Sequence, residues 1–336
     1  MTRKLSFIVV LCIAIISIFA TAYCFAETTY SLTLIDNSSS LNIDSILNNF
    51  SSEYLSQNEN EDVVVIATYS DNASHDITAD LSYLGVETEK RYTYSEIFSG
   101  ESFSIKLKDI ISLQQISYIS SVELANVYYA LTDDASTSYS YSTDDADTSG
   151  IFKNNTLYQG DGMVVAIIDA AFDTSHVAFS QITSSNLALT LSDISSILYD
   201  LNSYSQSGAS AQSLYVSDKI AYAYDYGEGD TNLYDSTINH GTHVSGIIGA
   251  NSSSLSGVVK NAQLALMKVA DANGYMYNDT IVSALEDCLK LNVDVVNMSL
   301  GSNAGFENDD SALQKAVKAL EENGISVICA AGNSYT

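Results

Sequence analysis

The sequence contains no proline and no tryptophan, and it has few basic residues. At the average usage of about 5%, a chain of this length would contain roughly 17 prolines, so Gly, Asn, Asp and Ser must mark its turns. Lysine and arginine number 13 against 41 acidic residues, which gives a net charge of −28. Because binding of nucleic-acid phosphates needs clustered Lys and Arg, this balance argues against a nucleic-acid partner.

Cysteine is also scarce, with four in 336 residues. Two of them, Cys12 and Cys24, lie near the N-terminus, while Cys288 and Cys329 each lie inside an apolar periodic segment. Two such cysteines do not make a disulfide framework, so we predict that both are buried thiols. Apolar residues make up 46% of the chain, enough for a sizeable core, and the length predicts roughly two domains.

One apolar run occupies the N-terminus. Arg3 and Lys4 precede residues 5–20, and the small residue Ala26 ends the segment. This arrangement is typical of a secretory signal, and we predict cleavage after Ala26 and export. Two alternatives stay open, which are lipoprotein processing at Cys24 and an N-terminal membrane anchor. No other segment is apolar enough to span a bilayer, so no stable membrane span is expected after signal removal.

The next two parts differ in pattern. Residues 27–130 are predicted to form a small α+β domain. Its helix is expected at 108–115 and its strands at 63–67, 91–94, 102–105 and 119–129. Residues 131–149 are acidic, rich in Ser and Tyr, and without an apolar period, which predicts a solvated linker. Calcium binding is an alternative role for the linker aspartates, which are Asp133, Asp134, Asp144, Asp145 and Asp147.

Residues 150–336 alternate between strand and helix patterns from Gly160 onward. The run at 163–168 is apolar throughout, which suits a strand covered on both faces. The pattern predicts an α/β fold with a doubly wound, mostly parallel sheet, and places functional groups at the carboxyl ends of its strands. The other predicted strands are 263–269, 293–300 and 325–330, and the predicted helices are 278–290 and 311–323.

Three polar positions fall at such ends. Asp169 directly follows the first strand, and Asn333 follows the last one. Between them lies His240, and we expect Thr242 to cap a helix that has His240 at its mouth. Each has an ordinary explanation as a turn, cap or loop residue. Together they form a functional set, in which a carboxylate orients an imidazole base and an amide stabilises an oxyanion.

Four segments resemble those of the subtilisin-like serine proteases, the subtilase family, and most closely its lactocepin-like cell-envelope proteases. They are GDGMVVAIID at 160–169, HGTHVSG at 240–246, NMSLG at 297–301 and AGN at 331–333. The segments at 94–100 and 122–129 resemble the end of a subtilase propeptide.

The resemblance implies a subtilisin-like fold, here incomplete, in a secreted serine endopeptidase precursor with a polypeptide substrate. It implies that Asp169 orients His240, that His240 takes a proton from a serine hydroxyl, and that Asn333 donates to the oxyanion. An extended peptide would pair as an added strand with Ser299, Leu300 and Gly301. Residues 27–130 would be the chain's own inhibitory propeptide. The chemistry would need no cofactor, while structural calcium is common in the family and the acidic segment 225–235 is a candidate.

The sequence also departs from the family. The serine segment Gly-Thr-Ser-Met-Ala is absent, and the 336 residues end three positions after Asn333. Ser334 is too close to Asn333 to replace that serine, and residues 208–211 echo its segment only faintly. We therefore expect an N-terminal part of a catalytic domain that is inactive alone, with unpartnered apolar faces at 311–323 and 325–330. Ala170 and Ala171 replace a hydroxyl residue and a glycine, which we expect to loosen Asp169.

Three other interpretations stay open. The first is a non-catalytic secreted protein that keeps a peptide-binding groove. The second is a metal hydrolase that uses Asp169, His240 and His243, because histidines three apart on a helix can face one way. The third makes residues 27–130 an independent adhesive domain.

Overall fold

The computed structural model describes residues 41, 43–48, 50–130, 158–180, 182–302 and 311–332. The predicted signal segment, the 131–149 linker, Asn333 and Ser334 lie outside the described residues. Across the described ranges, none of the helices has both the length and the apolar character needed to cross a membrane.

The N-terminal domain contains a four-stranded antiparallel sheet whose strands run in the order β2-β3-β1-β4. Strands and helical segments follow one another as β-α-β-β-α-β. The strands predicted at 63–67, 91–94 and 102–105 are confirmed, while the one predicted at 119–129 is divided into two strands of different sheets. The helix predicted at 108–115 is a 3₁₀ helix at Leu107–Gln115. The remaining elements are α1 (Ile43–Leu47), α2 (Ser52–Asn58), β1 (Asp62–Tyr69), α3 (Ile77–Tyr83), β2 (Thr88–Tyr94), β3 (Gly100–Lys106) and β4 (Ile119–Leu124).

The two faces of this sheet have different partners because side chains alternate along a strand. Val65 and Phe103 face the domain's own helices and form its core. Ile66 and Tyr94 face the opposite way and join the core of the C-terminal domain. The sheet is therefore covered on one side by its own helices and on the other by the second domain.

The C-terminal domain contains a five-stranded parallel sheet in the order β12-β10-β6-β8-β7. The predicted α/β fold is confirmed, and the all-apolar run forms most of β6, in the middle of the sheet. The edge strand at Ile220–Asp225 was not predicted. The strands are β6 (Val164–Asp169), β7 (Ile220–Asp225), β8 (Gln263–Lys268), β10 (Val295–Met298) and β12 (Ser326–Cys329).

Helices cover both faces of the parallel sheet. On β6, Val165 and Ile167 face one layer, and Ala166 and Ile168 face the other. The helices are α4 (Leu191–Ile197), α5 (Asn202–Ser207), α6 (Ala211–Leu214), α7 (His240–Gly249), α8 (Asn278–Lys290) and α9 (Ala312–Glu322), with 3₁₀ turns at Val177–Phe179 and Leu198–Asp200. The helix predicted at 278–290 has the bounds of α8, and the one predicted at 311–323 is α9, capped by Ser311.

A third, small sheet joins the two domains. Its order is β11-β5-β9, with β5 (Val127–Ala130), β9 (Met276–Tyr277) and β11 (Leu300–Gly301). The strand predicted at 293–300 is thus divided into β10 and β11.

Two expectations about the last elements are corrected, and the others are confirmed. Cys288 is buried as predicted, but Cys329 is exposed because β12 is an edge strand of the described sheet. Ile328 of β12 is 55% exposed, as expected for an apolar face without a partner. The inward face of α9 is covered instead, since Ala316 and Leu320 are fully buried.

Candidate active site

Asp169 is the last residue of β6 and is completely buried. Its Oδ1 accepts a hydrogen bond from the backbone N–H of Ala170 at 2.7 Å. The backbone therefore fixes a carboxylate that directly follows a fully apolar stretch of strand. The loosening expected from Ala170 and Ala171 stays a prediction, and the contact made here at Oδ1 comes from a backbone amide rather than a hydroxyl.

His240 is the first residue of α7, and its ring meets Asp169. Nδ1 lies 2.8 Å from Oδ1 and 3.0 Å from Oδ2 of the carboxylate. The close approach depends on Gly241, since a Cβ there would lie 2.5 Å from the Ala171 carbonyl oxygen and 3.0 Å from the Asp169 Cβ. Only glycine lets the start of the helix approach the end of the strand this closely.

The geometry fixes which nitrogen of His240 is basic. An ionised carboxylate only accepts hydrogen bonds, so Nδ1 carries the proton and donates it to Asp169. Nε2 is then the nitrogen with a lone pair, and the His240 side chain is 15% exposed. The N-terminus of α7 disfavours a positive imidazolium, and the buried carboxylate opposes that effect. The pair is arranged to accept a proton at Nε2 and to stabilise the resulting charge.

Thr242 does not cap the helix. Asn239 occupies the cap position, and α7 begins at His240. The Thr242 hydroxyl instead accepts the backbone N–H of Asp173 at 2.8 Å. It ties the helix to the loop after β6, a contact that local sequence does not indicate.

The predicted substrate segment is already paired with the chain's own N-terminal domain. In β11, Leu300 and Gly301 pair antiparallel with Ala130 and Tyr129 of β5. Ser299 lies outside this register, and its Oγ accepts the side-chain amide of Asn297 at 2.9 Å. Strand β5 thus occupies the place at which an extended peptide would add to β11.

The other edge of β5 pairs with β9, where Tyr128 lies opposite Met276. The Tyr128 side chain is 9% exposed and belongs to the C-terminal domain core. Tyr129 is half-buried and makes an edge contact with Tyr275, with ring centroids 6.0 Å apart. An aromatic side chain at position 128 therefore anchors β5 between β9 and β11.

Polar contacts along α8 extend this docking. Arg91 Nε lies 2.5 Å from Oδ2 of the fully buried Asp279. The backbone N–H of Ser95 donates to the buried Glu286 at 2.8 Å. Asn126 and Asn278 exchange two hydrogen bonds, in which each backbone N–H donates to an oxygen of the other residue.

Several predicted positions lie apart from the Asp169–His240 pair or outside the description. His243 is exposed on α7, and Asn333 lies outside the described residues. Within the part of the chain that the structure describes, no group of three or more His, Cys, Asp or Glu residues could hold a metal ion.

The candidate calcium segment 225–235 is engaged in other contacts. One oxygen of Asp225 lies 2.5 Å from the Lys268 ammonium, and the other accepts the Glu228 N–H. Asp235 accepts the N–H and hydroxyl of Thr237. An ammonium beside Asp225 repels a further cation, so this carboxylate does not fit a calcium site.

Two features of the site were missed at the sequence level. Strand β7 and its terminal Asp225 repeat the pattern of β6 and Asp169, an apolar run that ends in an aspartate, and this could have indicated them. The pairing of β5 with β11 joins residues about 170 positions apart, and no local pattern indicates it.

Comparison with known proteins places this geometry in a family. The model of the family described as the subtilase family, Peptidase_S8, matches residues 160–336. The chain is 32% identical over 255 residues to the PI-type proteinase of Lactococcus lactis subsp. cremoris, a match that covers 73% of this chain and 12% of that protein. It is 34% identical over 188 residues to the C5a peptidase of Streptococcus pyogenes, covering 52% of this chain and 15% of that protein. The chain thus spans a small part of the length of these relatives.

Solved structures share the fold. Fervidolysin from Fervidobacterium pennivorans, a keratinolytic enzyme related to subtilisin, aligns with a TM-score of 0.51 and 14% identity, over 82% of this chain and 40% of that one. The epidermin leader peptide processing serine protease of Staphylococcus aureus aligns with a TM-score of 0.51 and 16% identity, over 82% of this chain and 61% of that one. With a family match over more than half of its residues, the chain belongs to the subtilase family of serine peptidases.

Proposed function

We propose that this chain is the N-terminal part of a secreted serine endopeptidase precursor whose residues 27–130 inhibit it. Asp169 orients His240, and His240 Nε2 accepts the proton of a serine hydroxyl as that oxygen attacks a peptide carbonyl. Asn333 donates to the oxyanion of the tetrahedral intermediate. Export rests on the predicted signal at 1–26. The chemistry requires no cofactor, and a structural calcium ion outside Asp225 stays a prediction.

One observation carries the proposal. Strand β5 is paired on both edges, with β9 and with β11, at the same end of the sheet as Asp169 and His240. An extended segment held in this way blocks the place where a substrate would bind, which supports an inhibitory role. The contacts of Arg91 and Ser95 with buried carboxylates of α8 favour this interpretation over an independent adhesive domain.

The nucleophile decides whether the proposal describes an enzyme. The family's Gly-Thr-Ser-Met-Ala segment is absent from the 336 residues. Sequencing the DNA beyond the Thr336 codon is expected to show an open frame that encodes it. The protein from that frame should hydrolyse peptides, and His240→Ala should reduce turnover by a factor of about 10⁶, as loss of the histidine does in subtilisin. An uninterrupted frame without such a segment would exclude the endopeptidase.

A non-catalytic peptide-binding protein is the second candidate, and the occupied groove favours it equally. Both candidates require that a peptide can displace β5 from β11. The probe is a fluorescently labelled peptide with the sequence of β5, acetyl-Val-Tyr-Tyr-Ala-amide. A tethered segment competes at an effective concentration in the millimolar range, so the full chain should bind this probe weakly. Tyr128→Ala removes the buried anchor and should tighten probe binding at least tenfold, measured by fluorescence anisotropy.

Tyr129→Ala is the matched control. It removes an aromatic ring of the same strand that is only half-buried, so its effect on probe binding should be clearly smaller. If folded wild type and both variants fail to bind the probe at millimolar concentration, the edge of β11 does not bind peptides and both candidates are wrong.

A further inference from the structure

Three charged residues end three neighbouring strands. Asp169, Lys268 and Asp225 are the last residues of β6, β8 and β7, and they lie directly in register: Asp169 opposite Lys268, and Lys268 opposite Asp225. Residues in register on adjacent strands project to the same face of a sheet, at a strand spacing of about 4.8 Å. A buried ammonium group is therefore carried by the strand next to the carboxylate that orients His240.

The shared face is the one that α7 covers. Ile167, Leu266 and Ala223 precede the three charged residues by two positions and therefore point the same way. All three belong to one buried cluster with Val244 and Ile248 of α7. The side chains of Asp169, Lys268 and Asp225 thus lie on the side of the sheet from which His240 approaches.

Lys268 forms an ion pair with Asp225 of β7, the strand on the side of β8 away from Asp169 and His240. Its Nζ lies 2.5 Å from Oδ2 of Asp225, and the two side chains are 8% and 1% exposed. The other oxygen of Asp225 accepts the Glu228 N–H at 3.1 Å. Burial raises the pKa of Asp225 to about 6, against the opposing effect of Lys268, so the pair is ionic at neutral pH.

Other charged groups lie near Asp169, Lys268 and Asp225, but none of those named below takes the place of Asp225 as the ion-pair partner of Lys268. Asp230 lies near enough to raise the Asp225 pKa, and Asp235 has its pKa lowered in part by Lys268, although Thr237 is the main cause. From α7, the titratable groups are His240 and the exposed His243. Among these acids, Asp225 is the one that forms the short ion pair with Lys268.

We propose that Asp225 is a positioning residue, which holds the Lys268 ammonium away from Asp169 so that Asp169 keeps His240 as its partner. The inference rests on the proposed role of the Asp169–His240 pair. A lysine side chain is long and flexible, and a free ammonium carried in register with Asp169 on the adjacent strand competes with Nδ1 of His240 for the same oxygens. Without the Asp225 charge, Lys268 turns to Asp169, the ring loses its orientation, and the imidazolium loses its stabilising carboxylate.

Nuclear magnetic resonance of the full chain tests this, because it contains only four histidines. The readouts are the titration midpoint of the His240 imidazole and the low-field signal of its hydrogen-bonded Nδ1 proton. Asp225→Asn should lower the midpoint by about one pH unit and weaken the Nδ1 signal. The ring signals of His243, which is exposed on the same helix, serve as an internal control for an intact fold.

Removing the competing cation separates positioning from a general loss of structure. The double variant Asp225→Asn/Lys268→Met should restore the midpoint and the Nδ1 signal of His240. Asp225→Glu keeps the charge and should behave like wild type. If Asp225→Asn does not fold, the comparison of wild type, Asp225→Glu and the double variant still applies, since all three should share one His240 midpoint.

Two results would overturn the inference. One is a folded Asp225→Asn protein with unchanged His240 midpoint and Nδ1 signal, and the other is a double variant that fails to restore them. A wild-type spectrum without a hydrogen-bonded Nδ1 proton on His240 would instead contradict the Asp169–His240 pair itself, and so the proposed function.

Discussion

The contact between the two domains contains a buried acid whose protonation should control docking. Glu123 of β4 is 6% exposed. Its Oε1 accepts the Asn278 side-chain amide at 3.1 Å, and its Oε2 accepts the backbone N–H of Ala312 at 3.2 Å. The carboxyl thus joins the N-terminal domain to the first residues of α8 and α9. Burial raises its pKa from 4.5 to about 7, while the Ala312 N–H and the Lys315 ammonium oppose the rise.

The sign of the pH effect follows from these two values. When the domains separate, the carboxyl enters water and its pKa returns to about 4.5, so the docked state binds more protons. The contribution of Glu123 to docking is therefore fully present below a pH of about 4.5. It is lost as the pH rises through about 7. The two values make docking about tenfold tighter at pH 6 than at pH 8, equivalent to about 1.4 kcal/mol.

Glu123→Gln should abolish this dependence, because glutamine keeps the acceptor and has no charge at any pH. Amide hydrogen exchange of β5 and β11, corrected for intrinsic rates, measures docking in the full chain, with β8 as an internal reference. Wild type should show about tenfold greater protection at pH 6 than at pH 8, and Glu123→Gln should show nearly equal protection.

A second carboxyl provides the control. Glu101 is also buried, but its partner is Lys90 of the same domain. Glu101→Gln should keep the wild-type ratio between pH 6 and pH 8. If wild type and Glu123→Gln show the same ratio, Glu123 does not link protonation to docking and the reasoning fails.

Other substitutions test the packing described above. Gly241→Ala should destabilise the chain by about 1–3 kcal/mol in urea unfolding, since its Cβ would lie 2.5 Å from a carbonyl oxygen; Gly246→Ala on the same helix, with no atom within 4 Å of the new Cβ, should be neutral or stabilising. An aromatic disulfide reagent should modify Cys329 rapidly and Cys288 only on unfolding, and equal rates would contradict the burial of Cys288. Burial lowers the pKa of Lys219 to about 8, so wild type should gain stability relative to Lys219→Met as the pH rises from about 8 to about 10; parallel stability curves would argue against this.

The parts of the fold that sequence predicts best are those with a strong local period. Helix α8 has the predicted bounds because Ile281, Ala284, Leu285 and Cys288 repeat at helical spacing. Strand β6 was predicted because every residue from Val164 to Ile168 is apolar, as a central parallel strand requires. These elements place Asp169 correctly, since it directly follows an apolar run.

The elements that sequence did not predict depend on distant partners. The buried Asp287 of α8 accepts the N–H groups of Asn202 and Ser203 at the start of α5. That contact stabilises a short polar helix with no apolar period of its own. Thr242 fits a capping pattern, but its hydroxyl instead accepts a hydrogen bond from the Asp173 N–H. In both cases tertiary hydrogen bonds outweigh the local preference that a sequence displays.

The surface of α8 beneath the N-terminal domain has a consequence for the protein after separation. Asp279 and Glu286 are completely buried while Arg91 and Ser95 contact them. Once uncovered, both carboxylates can be hydrated, so this part of the helix would present a hydrated, negatively charged surface rather than an apolar one. The same joint also buries the apolar side chains of Ile66, Tyr94 and Tyr128, so these carboxylates limit the apolar surface that separation uncovers but do not remove it.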